Sequence, residues 1–303
     1  MKRIHIFSTL PAIAAIAIAV IQACGSGNSD SGRLSHIDSL LGGGLVDSAY
    51  NEICAVEMKE LHSTADSAYF FLLRAQAEYR LYKPSSPMES LDFAIHYYSR
   101  TRAQQEKLAS AYYYKACLLY DAGDIRNAMN FIKNAEFIAN KTKNPELRHK
   151  IFETLLVINE EAGEDRTALE YSRKSIGESL KAKRTDWLAH AYNNMAALYA
   201  KLNKADSSDL YIRKCMELMN SIPEKDSQFI LNNIGVYLMK NNPQKAKWYF
   251  KQVLATAPLD VAYKNLASIY ATEGKTDSAG LMWEKALQTE DMQIKDEVMH
   301  SMF

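Results

Sequence analysis

Glycine and proline are scarce: 12 Gly and 7 Pro in 303 residues. All-β sandwiches and barrels reverse direction often and draw on both residues, so this scarcity points away from sheets and toward helices. Cysteine is scarce too. The 4 present show no C-x-x-C spacing, which leaves no disulfide framework and no cysteine-ligated zinc site to be read. Charge of one sign is also missing, since 36 basic residues face 36 acidic ones, so no strong field steers the chain toward nucleic acid or an acidic membrane. Catalytic signatures are lacking as well: there is no H-E-x-x-H, G-x-S-x-G, Walker-type glycine loop or S-x-x-K. The histidines are scattered, with none three or four residues from another, and His96 and His190 read as surface or satisfied helix residues. Nothing calls for a metal, a cofactor or an enzymatic activity.

Long apolar runs are limited to one. Residues 1–23 carry Lys2 and Arg3 followed by PAIAAIAIAVIQA, the length of a secretory signal rather than of a membrane span. The run ends in Ile21-Gln22-Ala23-Cys24, which resembles a bacterial lipobox. Ordinary cleavage after Ala23 would leave a soluble product, but Ile21 is large where such a site wants a small residue. The resemblance implies that Cys24 becomes the acylated, palmitate-bearing first residue of an anchored lipoprotein. Gly25 follows where an inner-membrane retention signal would place Asp, and Asp30 stands alone where surface-exposed lipoproteins carry an acidic cluster. An outer-membrane anchor facing the periplasm is the expectation. Residues 24–44, with GSGNSDSGR and LLGGGL, read as a flexible Gly/Ser-rich tether.

Helices are expected from Leu45 onward. Leu45 to Leu61 and Asp66 to Leu81 are amphipathic, and Ser86-Pro87-Met88-Glu89 combines an N-cap serine, proline at the first helical position and glutamate three residues after the cap. The device recurs at Asn144-Pro145 and Asn242-Pro243, while Pro223 and Pro258 lie in further breaks, so no helix interior is interrupted.

A repeat runs through these helices. In Asp260 to Leu287, Tyr263, Leu266, Ala267 and Tyr270 share one face of a first helix. Gly274 falls in the turn, and Ala279, Trp283 and Ala286 share a face of a second helix. Where two such helices cross closely only a small side chain fits, as at Ala267 and Ala279. The spacing resembles the tetratricopeptide repeat. Copies follow at Tyr112, Ala116, Leu119, Gly123, Ala128 and Ala135; at Phe152, Leu156, Gly163, Ala168 and Ser175; at Tyr192, Ala196, Tyr199, Ser208 and Cys215; and at Ile234, Gly235, Leu238, Ala246, Phe250 and Val253. The expected fold is all-α: a tetratricopeptide right-handed superhelix of antiparallel helix pairs. Residues 45–107 would be degenerate N-terminal repeats, 108–290 the repeats proper and 291–303 a C-terminal tail or capping helix. The chain also resembles Bacteroidetes tetratricopeptide lipoproteins, lacking the C-terminal membrane helix and helix-turn-helix of longer members.

With Cys24 acylated, Cys54, Cys117 and Cys215 remain and are expected to be buried free thiols. One constellation is a candidate site. Asn194, Asn233 and Asn265 fall at the equivalent sixth position of the last three first helices, with Asn193, Asn232 and Lys264 one residue before. In the family this position faces the concave surface, where an amide can donate to a peptide carbonyl and accept from its N–H. Alternatively the amides only cap or bridge neighbouring helices. The basic residues of the chaperone-type carboxylate clamp are not matched. The expected function is a non-enzymatic, membrane-anchored scaffold that binds a protein or peptide partner at the cell envelope. The alternative is a periplasmic sensor or regulatory component acting with a separate membrane-spanning partner.

Overall fold

In the computed structural model, residues 29–83, 88–289 and 291–302 are described, and all regular structure among them is helical. The signal segment and Cys24, and the Ser86-Pro87 cap, lie outside the described residues. Residues up to Ala182 form one compact unit and those from Lys183 a second.

The first unit contains α1 (Ser29–Gly42), α2 (Val46–Cys54), α3 (Thr64–Arg80), α4 (Met88–Ser99), α5 (Gln105–Asp121), α6 (Ile125–Ala139), α7 (Pro145–Glu161) and α8 (Asp165–Ala182). From α3 onward the helices pack as consecutive pairs, and α1 and α2 both pack on α3. Helix α1 corrects the tether reading. Leu34, Ile37 and Leu41, spaced to share one helix face, are buried in a cluster with Ala49, Ile53, Phe70, Leu73 and Ala77. Burying each such side chain is worth roughly 1.5–3 kcal/mol, so three of them hold a segment whose glycines and serines alone would not order it. The Arg80 guanidinium ties the end down by donating to the Leu41 carbonyl at 2.6 Å. The helix expected over Leu45 to Leu61 is also shorter, ending at Cys54 before a 3-10 turn at Met58–Glu60.

The second unit contains α9 (Thr185–Lys201), α10 (Ala205–Leu218), α11 (Glu224–Leu238), α12 (Pro243–Thr256), α13 (Asp260–Thr272), α14 (Thr276–Ala286) and α15 (Met292–Met302). Three consecutive pairs form here too, and α15 packs on α13 and α14. The Asn-Pro devices start helices as their chemistry dictates. Asn144 accepts from the Leu147 N–H at 3.0 Å, Asn242 accepts from the Lys245 N–H at 3.1 Å, and each following proline is the first helical residue.

The small residues of the repeat sit at the crossings. Ala116, Ala128, Ala135, Ala168, Ala196, Ala246, Ala267, Ala279 and Ala286 are all fully buried. Gly235 shows why a larger side chain is excluded: a Cβ there would stand 2.6 Å from the Phe250 ring of the paired helix. Where the crossing residue is polar, its hydrogen bond is met: the Ser208 hydroxyl donates to the Ala196 carbonyl at 2.9 Å. The Cys215 thiol donates to the Ala189 carbonyl at 3.4 Å.

Candidate functional site

The six residues singled out by register divide when placed on α9, α11 and α13. Asn193, Asn232 and Asn265 are buried, whereas Asn194, Asn233 and Lys264 are partly exposed. The Asn193 amide nitrogen donates to the Tyr237 hydroxyl at 3.2 Å, linking α9 to α11. Its carbonyl oxygen, the Asn232 carbonyl oxygen and the Asn265 amide nitrogen are buried and meet no hydrogen-bond partner among the described residues. Lys264 takes a different role from its neighbours, because its ammonium is bound by Glu297 of α15. That pairing holds the Glu297 carboxyl below its ordinary range, with Gln293 also donating to it.

Two neighbours escape a reading by repeat register. His190 Nε2 lies 3.6 Å from Asp226 Oδ1, with the imidazole 5.7 Å from the Phe229 ring, so α9 and α11 meet through a polar contact as well as an apolar one. Asp226 is almost fully buried and its other carboxylate oxygen is unpartnered. Tyr237 was missed for the same reason: its contact with Asn193 spans 44 residues and leaves no local signal.

The first unit holds one arrangement that needs chemical scrutiny. The Ser175 hydroxyl donates to Glu153 and lies 2.9 Å from His149 Nδ1, all three residues being buried between α7 and α8. Since the single hydroxyl proton goes to Glu153, His149 must offer its Nδ1 proton to Ser175. A hydrolytic triad places histidine between the serine and the acid. Here serine stands between histidine and acid, so its oxygen is not activated and the cluster ties two helices together. The thiols are equally inert: burial pushes Cys117 and Cys215 each up to about 12. Cys54 differs from expectation in being exposed, at the end of α2. Among the described residues no group of three or more His, Cys, Asp or Glu could hold a metal ion, and no helix is long and apolar enough to cross a membrane.

No family model matches the chain, and no curated protein matches it in sequence. Solved structures do match in shape. A tetratricopeptide repeat protein from Parabacteroides merdae is similar at a TM-score of 0.58 and 14% identity, over 91% of this chain and all (100%) of that one. The fold is that of the tetratricopeptide-repeat proteins. A Rap protein complexed with Competence and Sporulation Factor is similar at a TM-score of 0.65 and 14% identity, over 89% of this chain and 77% of that one. NprR in complex with its cognate peptide NprX is similar at 0.61 and 13%, over 90% and 82%. Repeat register alone does not decide which member of a pair is buried: Asn193 and Asn232 stand one residue before the sixth position, whereas Asn265 stands at it.

Proposed function

We propose that the protein is a non-enzymatic tetratricopeptide scaffold that binds a peptide or protein partner along the first-helix face carrying Asn193, Asn194, Asn232, Asn233 and Asn265. Lys264 flanks this face through its link to α15. The observation that carries the reading is the set of buried amide atoms without partners on α9, α11 and α13. A buried polar atom left unpaired costs roughly 1–3 kcal/mol, and an extended peptide presents alternating N–H and C=O groups that an amide can meet on both sides. The likeness in fold to NprR, which was solved with its cognate peptide, supports the same reading.

The scaffold is placed at the cell envelope by its lipobox-like start, with acylated Cys24 holding it in the outer membrane on the periplasmic side. Crosslinking in intact cells, followed by capture of the full-length protein, should recover a defined partner. Its yield should fall at least tenfold in the Asn194→Ala, Asn233→Ala, Asn265→Ala variant, and undiminished capture would remove the support for this face. Mass spectrometry of the mature N-terminus tests the anchor separately, because an unmodified thiol at Cys24 would detach the chain from the membrane. The second reading is a sensor component acting with a separate membrane-spanning partner. It is favoured by the likeness to a protein complexed with Competence and Sporulation Factor, and capture of a membrane-spanning regulator would select it.

A further inference from the structure

A cavity of about 270 Å³ opens in the first unit among α1, α3, α5 and α7, using none of the residues of the proposed peptide face. Its apolar lining includes Leu72, Tyr113 and Leu147, of which all three are buried. Its charged lining comprises Asp38, Glu106, Lys107, Glu146 and Lys150. Four of these five are accounted for. Asp38 accepts from the Tyr69 hydroxyl at 2.5 Å, and Lys150 donates to Glu146 at 2.6 Å. Glu106 is exposed in the first turn of α5, where a carboxylate suits the positive end of the helix dipole, with the Asn144 amide 3.5 Å away.

Lys107 is the remaining charge. Its ammonium sits 3.2 Å from the centre of the Tyr69 ring, and no carboxylate lies within ion-pair distance of it among the described residues. Half-burial lowers its pKa below the ordinary lysine value, opposed only at longer range by Asp38 and Asp66. A desolvated cation held by a ring face keeps its N–H donors available for an anion.

We propose that this cavity binds a small carboxylic acid, with the carboxylate on Lys107 and an apolar body against Leu72, Tyr113 and Leu147. The volume is at the lower edge of small-ligand pockets, which run from roughly 300 Å³ upward, so the occupant has the bulk of about one large amino acid. A free acid and the last residue of a peptide share this chemistry.

Calorimetry on the full-length protein distinguishes them, using N-acetylphenylalanine, its carboxamide, and a hexapeptide ending in phenylalanine with a free or an amidated C-terminus. The acid should bind at least tenfold more tightly than the carboxamide. That preference should vanish in Lys107→Gln and persist in Lys107→Arg, with thermal unfolding confirming that each variant is folded. Tighter binding of the free-terminus hexapeptide than of N-acetylphenylalanine would assign the site to peptide ends, and the reverse to free acids. Equal binding of acid and carboxamide, or no binding of any probe by folded protein, overturns the proposal. Because the proposed peptide face lies on α9, α11 and α13, loss of partner capture there leaves this result untouched, and the converse holds.

Discussion

The two units treat buried polarity in opposite ways. In the first, the buried carboxylates Glu178 and Glu136 are each met by cations. Glu178 is held by Arg148 at 2.7 Å and Lys181 at 2.9 Å, and Glu136 receives Lys133, Lys174 and the Tyr171 hydroxyl. In the second, the first helices bury Asn193, Asp226, Asn232 and Asn265, each with an atom left unpaired. Unpaired atoms occur in the first unit as well, on Arg80 and Tyr98, but neither is a side-chain amide. Closed networks stabilise the helices that make them, while unpaired amide atoms on successive first helices cost stability and fit a surface completed by another molecule.

The sharpest way to break this comparison is to open one of the closed networks. Arg148 donates to Glu178 through both Nε and Nη2, at 3.0 and 2.7 Å, and to the Thr142 carbonyl through Nη1 at 2.7 Å. Arg148→Met should destabilise the first unit by about 3 kcal/mol, the lower end for stranding a buried charge because Lys181 still pairs with Glu178. Urea denaturation followed by circular dichroism measures it. The pH dependence sharpens the test. Burial alone would raise the Glu178 pKa, but Arg148 and Lys181 outweigh burial and hold it below the ordinary carboxylate value. A depressed folded pKa contributes stability that is present above the unfolded value of about 4.3 and lost as pH falls through the folded one. The deficit of Arg148→Met should therefore shrink between pH 7 and pH 3. A cost under about 1 kcal/mol at pH 7, the ordinary value for a surface pair, would mean that this network is not the closed, desolvated one described.

A smaller effect of opposite sign is expected in the second unit. Asn232→Leu removes a buried carbonyl oxygen that has no partner and should raise stability by about 1 kcal/mol. The same variant should lose partner capture in the crosslinking experiment. Gain of stability with loss of capture is what separates a face kept polar for a ligand from a helix-bridging amide, whose removal would cost stability and spare capture. Loss of stability would therefore return Asn232 to the bridging reading.

What could be read from the chain alone follows from the range of the interactions involved. The helix pairs were legible because Ala196, Ala267 and their counterparts recur at fixed local intervals, and the cap asparagines because their partners lie three residues away. Helix α1 was hidden because Leu34, Ile37 and Leu41 stand among glycines and serines, and their burial depends on Phe70 and Leu73, 29 or more residues on. The asparagine register was legible, but its burial was not. Which of two adjacent amides turns inward depends on the neighbouring repeat, as does the pairing of Lys264 with Glu297. The Lys107 cavity is drawn from four helices, and no spacing within any one of them marks it.

The smallest expected effect compares the turns that the two units share. Gly123 and Gly163 in the first unit and Gly274 in the second take φ of 81°, 77° and 71°, while Asn203 takes 56° at the same place between α9 and α10. The hydrogen bonds of the two second-unit turns are alike. Lys204 N–H donates to the Tyr199 carbonyl and Lys275 N–H to the Tyr270 carbonyl, both at 2.9 Å. Only the side chain therefore differs. A left-handed conformation costs an L-residue roughly 1–2 kcal/mol, less for asparagine, whereas glycine avoids that strain but loses more backbone entropy on folding. These terms nearly cancel, so Asn203→Gly should change unfolding free energy by no more than about 0.5 kcal/mol in either direction. Gly274→Ala gains the same entropy but meets the full left-handed strain, so it should still cost about 1 kcal/mol, although nothing crowds a Cβ there. If alanine at 274 proved neutral, backbone conformation would not be what places glycine in these turns, and the agreement of glycine and asparagine at one register would need a contact outside the turn to explain it.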